Sequence, residues 1–165
     1  MIVKSFPPIV NIKAKILILG SMPGKTSLEK NEYYGYKHNV FWKIMFDLFQ
    51  TPFSDEYKVK KELLLQNKIA LWDTLKYCNR EGSLDSDIKN VGVNEFNIFL
   101  SKYKGIKDIF FNGKASFDYF KKYVGYKDGY NYYLLPSTSP ANARIKFEEK
   151  FNKWKFIKET LEKNS

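Results

Sequence analysis

One cysteine, Cys78, and one histidine, His38, are all that this chain of 165 residues holds of two residue types on which much protein chemistry depends. A lone thiol excludes an internal disulfide, and it excludes a zinc or iron–sulfur centre built from several thiolates of one chain. A reducing, cytoplasmic setting is the default expectation that follows. With one imidazole, a Ser-His-Asp triad would have to use His38, and no G-x-S-x-G nucleophile elbow exists to serve it. The chain also lacks G-x-x-x-x-G-K-S/T and G-x-G-x-x-G, the loops that cradle phosphates in NTPases and dinucleotide enzymes. No metal and no cofactor are expected. Long apolar runs are missing too: the first residues, Met1-Ile-Val-Lys-Ser-Phe-Pro-Pro, have no signal-peptide core, and no stretch approaches a membrane span, so no membrane partner is expected.

What the chain has in excess is positive charge and aromatic rings. Lys and Arg number 28 against 18 Asp and Glu, a formal net charge of +10, and 18% of residues are Phe, Trp or Tyr. Such a balance favours a polyanionic partner, nucleic acid first and an anionic surface second, although a lysine-rich chain can be basic without binding anything. The length fits a single domain over 1–165 with a substantial core.

Apolar residues alternate between two spacings along the chain. Short buried runs predict strands at Ile16–Leu19, Ile69–Trp72, Ile109–Phe111 and Tyr132–Leu135. Helical stripes lie between them: Val40, Phe41, Ile44, Met45, Leu48 and Phe49, then Phe96, Phe99, Leu100 and Tyr103, a shorter one over Ala115–Tyr123, and a long one through Phe147, Phe151, Trp154, Ile157 and Leu161. Thr51–Asp55 and Cys78–Lys89 read as loops. The alternation predicts an α/β fold of three layers, α/β/α, with a mainly parallel central sheet.

Two strand ends draw the eye to one edge of that sheet. Ile16-Leu-Ile-Leu-Gly20-Ser-Met-Pro-Gly24 ends a buried run on a loop where backbone can approach a ligand, and Tyr132-Tyr-Leu-Leu-Pro136-Ser-Thr-Ser-Pro140-Ala-Asn142 repeats the plan. Any tight strand-to-helix turn also favours Gly and Pro. In open sheets ligands bind beyond the carboxyl ends of the strands, where both loops sit. The inventory there of amides, hydroxyls, backbone N–H groups and aromatics suits positioning a water more than covalent catalysis.

Five segments in order carry a resemblance: Gly20-Ser-Met-Pro-Gly24; Tyr33-Tyr-Gly-Tyr-Lys-His-Asn39-Val-Phe41-Trp42; Ala70-Leu-Trp-Asp73 leading to Cys78-Asn-Arg-Glu-Gly-Ser-Leu-Asp85; Phe111-Asn-Gly113; and Leu135-Pro-Ser-Thr-Ser-Pro-Ala-Asn142. Together, from about Ile16 to Phe151, they resemble the uracil-DNA glycosylase superfamily, and within it the hypoxanthine-DNA glycosylases. The resemblance implies a monomeric, cofactor-free enzyme that flips a deaminated base from DNA, hydrolyses its N-glycosidic bond and leaves an abasic site.

It also implies roles, each with a plainer alternative. Asn39, just before Phe-Trp, is the expected catalytic amide that holds the attacking water; its type and place also fit an N-cap for the helix near Val40. Gly20, Ser21, Met22, Pro23 and Ser137 are expected around the base, Met22 standing where many relatives carry a water-orienting Asp or Asn. Tyr34 is expected to stack on the flipped base, or else to be a half-buried core tyrosine. Asp73 would read the base edge by accepting the N1–H of hypoxanthine, or would cap a loop facing solvent. Gly24, Lys37, His38, Thr138, Ser139, Pro140, Ala141, Asn142 and Arg144 are expected along the DNA backbone, the loop from Ser137 also pressing into the duplex; Arg80 and Lys146 could reach phosphates or sit as solvated charges.

Two departures from the family stand out. Leu135 or Pro136 occupies the place of a histidine that stabilises the departing base, and Tyr36-Lys37-His38 replaces His-Pro-Arg. Asn112-Gly113 fits a simple turn after a strand. Besides a hypoxanthine glycosylase, the chain also fits a uracil or mismatch-uracil glycosylase, and a catalytically inactive nucleic-acid-binding homologue.

Overall fold

The structure, a computed structural model, describes residues 1–164. Four parallel strands form its centre: β2 (Ile16–Gly20), β3 (Ile69–Asp73), β6 (Asp108–Asn112) and β7 (Asn131–Leu135), in the order β3-β2-β6-β7. β2, β3 and β6 are buried along their whole length, because the pleat sends alternate residues into two separate cores. Ile16, Ile18, Ile69, Leu71 and Phe110 face one side, where α2 (Phe41–Leu48), α3 (Tyr57–Gln66) and α6 (Phe147–Lys163) pack. Leu17, Leu19, Ala70, Trp72, Ile109 and Phe111 face the other, under α4 (Phe96–Lys102) and α5 (Lys114–Tyr123). The three layers and the parallel sheet are those expected.

The rest of the architecture departs from the expectation at three places. A second sheet, antiparallel and ordered β1-β4-β5, is made of β1 (Ile2–Lys4), β4 (Leu75–Asn79) and β5 (Lys89–Val93). Cys78–Lys89 is therefore not all loop: both of its ends belong to strands. Mixed polar and apolar residues on one-sided strands such as Leu-Lys-Tyr-Cys-Asn give little period to read, and Met22, Leu75, Cys78 and Ile88 make a small core beneath them. Helices α1 (Lys25–Lys30) and α3 were also unforeseen; α1 is a six-residue turn, and α3 is lysine-rich with a narrow apolar stripe of Leu63 and Leu64.

The register of the parallel sheet is what positions the site. β2 pairs with β3 so that Gly20 lies beside Asp73, and β6 with β7 so that Asn112 lies beside Leu135. The chain passes from β2 to β3 on one side and reaches β6 on the other, so the loops leaving β2 and β6 diverge and open a crevice at the carboxyl edge. Ser116 of α5 ties this edge together. Its buried hydroxyl lies 2.9 Å from the Leu19 carbonyl and 3.0 Å from that of Gly20, and 2.9 Å from the Thr74 hydroxyl. Among the described residues, no helix is long and apolar enough to cross a membrane.

Removing the Ser116 hydroxyl takes a hydrogen-bond partner from the Leu19 carbonyl and from the Thr74 hydroxyl inside the buried edge. Ser116→Ala is expected to lower unfolding free energy by about 1–3 kcal/mol in urea titrations. Lys114→Ala, which deletes an exposed pair with Asp118 one helical turn away, should shift it by no more than about 0.5 kcal/mol.

Candidate active site

A cavity of about 470 Å³ opens at the crevice. Its walls come from the ends of β2, β3, β6 and β7, the 33–39 turn and the 83–85 loop. Gly20, Ser21, Met22, Pro23, Gly24, Tyr34, Asn39, Asp73, Ser137, Thr138, Ser139, Pro140 and Ala141 all line it, so residues far apart in sequence meet as expected. Asn142 lines an adjoining groove of about 560 Å³ instead. Lys37, His38 and Arg144 are exposed outside the cavity, His38 packed edge-on against Tyr36 at 5.2 Å.

Gly20 lies where no other residue fits. A Cβ there would come within 2.6 Å of Asp73 Oδ1 and 2.7 Å of the Tyr34 hydroxyl, so two polar groups crowd one point at the end of β2. Tyr34 takes φ +52 to reach it, and its ring stacks on Phe41 at 4.2 Å. Its hydroxyl is enclosed without a hydrogen-bond partner. Burial drives its pKa upward and the Asp73 carboxylate adds to this; Asn112 opposes the shift. Tyr34 thus stays a neutral O–H donor at any working pH.

Asp73 does not cap a loop in solvent. It is 3% exposed, and Oδ2 has no partner. Burial pushes its carboxyl up to about 7 with Asp85 adding to the shift, while Arg80 pulls the other way. Near neutral pH it is therefore present both as carboxylate and as carboxylic acid.

Arg80 is not a surface charge. It is 3% exposed, its Nη2 donates to the Pro23 carbonyl, and Nε and Nη1 are unpartnered. It holds the Met22–Pro23 turn from beneath and places a cation within electrostatic reach of the Asp73 carboxyl. Asn112 is likewise more than a turn residue: its amide clamps Thr138 from both sides, Nδ2 donating to Oγ1 and Oδ1 accepting the backbone N–H, each at 2.9 Å. Thr138 is 1% exposed in consequence, leaving no hydroxyl for a phosphate; it braces the loop instead. Gly113 follows at φ +93, and a Cβ there would sit 2.9 Å from Ser137 Cβ.

Asn39, read from the sequence as a possible N-cap, stands one residue ahead of the actual cap. Val40 is the N-cap of α2, and Asn39 Oδ1 accepts the Phe41 N–H at 3.0 Å, which fixes the amide plane at the cavity wall. Ser21 donates to Asp85 Oδ1 at 2.7 Å, and Ser83 accepts the Lys25 N–H at 2.8 Å, so the 83–85 segment becomes a third wall. In the sequence, only the string Glu81-Gly-Ser-Leu-Asp85 hints at this wall. The Ser137 hydroxyl accepts the Ser139 N–H and the Ser139 hydroxyl that of Ala141, while Trp154 donates to the Pro136 carbonyl at 2.9 Å. Among the described residues, no cluster of His, Cys, Asp or Glu could hold a metal ion.

The raised pKa of Asp73 has a sign for stability. In the unfolded chain the carboxyl ionises near 3.8 and in the folded chain near 7, so its share of stability is complete at low pH and is lost as pH rises through that window. Asp73→Asn, neutral throughout, should melt close to wild type near pH 4 and above it near pH 8, as a pH series of thermal melts will show.

Comparison with known proteins agrees with this geometry. A sequence model of the Uracil DNA glycosylase superfamily matches residues 7–162. A Methanosarcina barkeri protein named "Hypoxanthine DNA glycosylase" is 38% identical over 142 residues, 86% of this chain and 89% of that protein. A Methanosarcina acetivorans protein of the same name is 36% identical over 146 residues, 88% of this chain and 91% of its own. A Methanosarcina acetivorans protein solved by NMR superposes with a TM-score of 0.84 at 34% identity, covering 98% of this chain and 99% of that one. With the family's sequence model matching residues 7–162 and relatives at 34–38% identity over most of the chain, the chain belongs to the uracil DNA glycosylase superfamily.

Proposed function

We propose that this chain is a monofunctional DNA glycosylase that flips hypoxanthine from DNA and hydrolyses its N-glycosidic bond, leaving an abasic site. The observation that carries this reading is the pair of buried, unpartnered groups, Asp73 Oδ2 and the Tyr34 hydroxyl, on the floor of the cavity. Leaving a polar atom buried without a partner costs about 1–3 kcal/mol, and a base edge supplies what both groups lack. Hypoxanthine offers an N1–H donor and the O6 and N7 acceptors. Ionised Asp73 accepts N1–H; its neutral form, and Tyr34, donate to the acceptors. A base with no matching donor leaves the carboxylate unpaired and is rejected. The names of the two relatives support the same substrate.

The bond to be broken sets the remaining requirements. As C1′–N9 lengthens, the sugar becomes cationic and the base anionic, so donors must meet the base while a water waits at the sugar. Asn39 Oδ1 keeps one lone pair for the Phe41 N–H and has a second for a water proton. The turn that looks like a helix cap thereby aims the amide. No histidine stands at the head of the 136–142 loop, so stabilisation of the departing base falls to Asp73, Tyr34 and backbone N–H groups. Arg144 and the exposed side of the loop face the phosphates.

Duplexes carrying inosine, xanthine or uracil test the reading directly. Inosine should be cut fastest, and strands should break only after heating in alkali; if no base is released from any of them, the enzyme reading fails. Asn39→Ala should slow single-turnover excision by about 10²-fold or more while duplex binding changes little. Asp73→Asn should alter the ranking among the three bases, and an equal loss on all would assign Asp73 to support of the loop.

Charge at the site edge makes its own forecast. Arg144→Ala should flatten the log–log salt dependence of binding by about one unit. Lys163→Ala should leave the slope unchanged: it lies beside Asn164, whose amide reaches Asp108 at the far end of the sheet.

A further inference from the structure

We infer that Thr138 is a positioning residue for Asn39: its carbonyl fixes the turn that carries the amide, so that the loop proposed to grip DNA and the group proposed to hold the attacking water belong to one frame. The inference rests on the DNA glycosylase reading and adds to that site a residue that acts without touching substrate. A water-holding group is effective only in its place, and a misplacement of about 1 Å costs roughly 10²-fold in rate.

Thr138 is 1% exposed, and each of its polar groups has a partner. The hydroxyl accepts from Asn112 Nδ2 and the N–H donates to Asn112 Oδ1, each at 2.9 Å, so the end of β6 holds the residue by two bonds. The carbonyl accepts the Val40 N–H at 3.1 Å. Val40 directly follows Asn39 and is the N-cap of α2. The other bonds of this turn are internal: the Asn39 N–H donates to the Tyr36 carbonyl at 2.9 Å, and Asn39 Oδ1 accepts the Phe41 N–H at 3.0 Å. Among the described residues, the Val40–Thr138 bond is therefore the one hydrogen bond that ties residues 39–41 to a distant segment.

Ring packing does not replace it. Phe41 packs on Tyr34 and Trp154, but rings in contact tolerate sliding and turning, whereas a hydrogen bond is directional. The other end of the frame faces outward. The Ser139 carbonyl accepts the Asn142 N–H at 3.0 Å and the Lys150 ammonium at 3.4 Å, and Pro140 and Ala141 are exposed. A strand pressing on that surface meets a loop whose buried residue sets the turn of Asn39. Position 138 needs a hydroxyl for this: serine keeps both bonds to Asn112, while valine, of the same shape, leaves Asn112 Nδ2 without its acceptor.

A double-mutant cycle tests the assignment. Thr138→Val, Thr138→Ser, Asn39→Ala and the double variant are assayed in single turnovers on duplex inosine at saturating enzyme, and lesion-duplex Kd is measured separately. Thr138→Val should lose about tenfold or more in maximal rate with Kd within about threefold, and Thr138→Ser should recover most of the rate. In the Asn39→Ala background valine should cost less than about twofold, because it acts through the amide already removed. Thermal melts accompany each variant, and Thr138→Ala completes the same cycle should Thr138→Val not fold. Hydrogen exchange at the Val40 amide, followed by NMR, reads the tie without turnover: it should be slow in wild type and about tenfold or more faster in Thr138→Val. An equal loss from valine in both backgrounds overturns the assignment, and so does a wild-type rate or unchanged Val40 exchange in Thr138→Val. A wild-type chain that releases no base from inosine, xanthine or uracil duplexes overturns the glycosylase reading and the positioning role with it; additive losses in an active enzyme overturn the positioning role alone.

Discussion

Two strands in register end on Gly20 and Asp73, and no Cβ fits between them; the active edge follows from that constraint. Because position 20 is empty of side chain, the Asp73 carboxyl and the Tyr34 hydroxyl close over the end of β2 and are cut off from water. The enclosure raises both pKa values, since burial disfavours each charged form; the Asp73 carboxylate adds to the rise at Tyr34, and Asp85 to that at Asp73. A larger residue at position 20 would part these groups and open the floor to solvent. Recognition and ionisation here are two results of one close approach of backbone to side chain.

The second sheet gives that floor its support. β4 leaves the carboxyl end of β3 after Thr74, so the antiparallel strands hang from the site, and Arg80 at the end of β4 returns beneath the Gly20–Gly24 turn to hold the Pro23 carbonyl. Asn94, at the other end of β5, donates to the Asp73 carbonyl at 2.7 Å. Only the Pro23 carbonyl and the electrostatic attraction of the Asp73 carboxyl offset the burial of a guanidinium with two idle nitrogens. Such an arrangement is costly as packing and makes sense as electrostatics under the proposed base pocket.

Much of this was legible in the residues. Three of the central strands announce themselves because double burial makes them continuous apolar runs, β7 at the sheet edge because its tyrosines and leucines still form an apolar run, and the long helices because their stripes are wide. The loops after β2 and β7 were legible as site loops for the same reason: small residues and prolines follow a buried strand. Illegible were the features without a period. β4 alternates Leu, Lys, Tyr, Cys and Asn with one side wet, and Arg80 is a cation that only tertiary structure could reveal as buried. Asn112 was undervalued because Asn-Gly after a strand is the usual chemistry of a turn; that its amide would clamp Thr138, 26 residues away, is a fact of the β6–β7 pairing. Asn39 showed the reverse ambiguity, since one side chain both braces the start of α2 and faces the cavity.

The indoles of Trp42 and Trp154 are buried, and each donates its N–H to the carbonyl just ahead of a site residue: Trp42 to Tyr33, before Tyr34, at 2.7 Å, and Trp154 to Pro136, before Ser137, at 2.9 Å. Both chromophores are thus wired to the two segments proposed to accommodate a base and a DNA strand. Any shift of either segment changes the polarity and hydrogen bonding of an indole, and with it the colour and yield of its emission. The protein carries its own optical gauge of site closure, with no label attached.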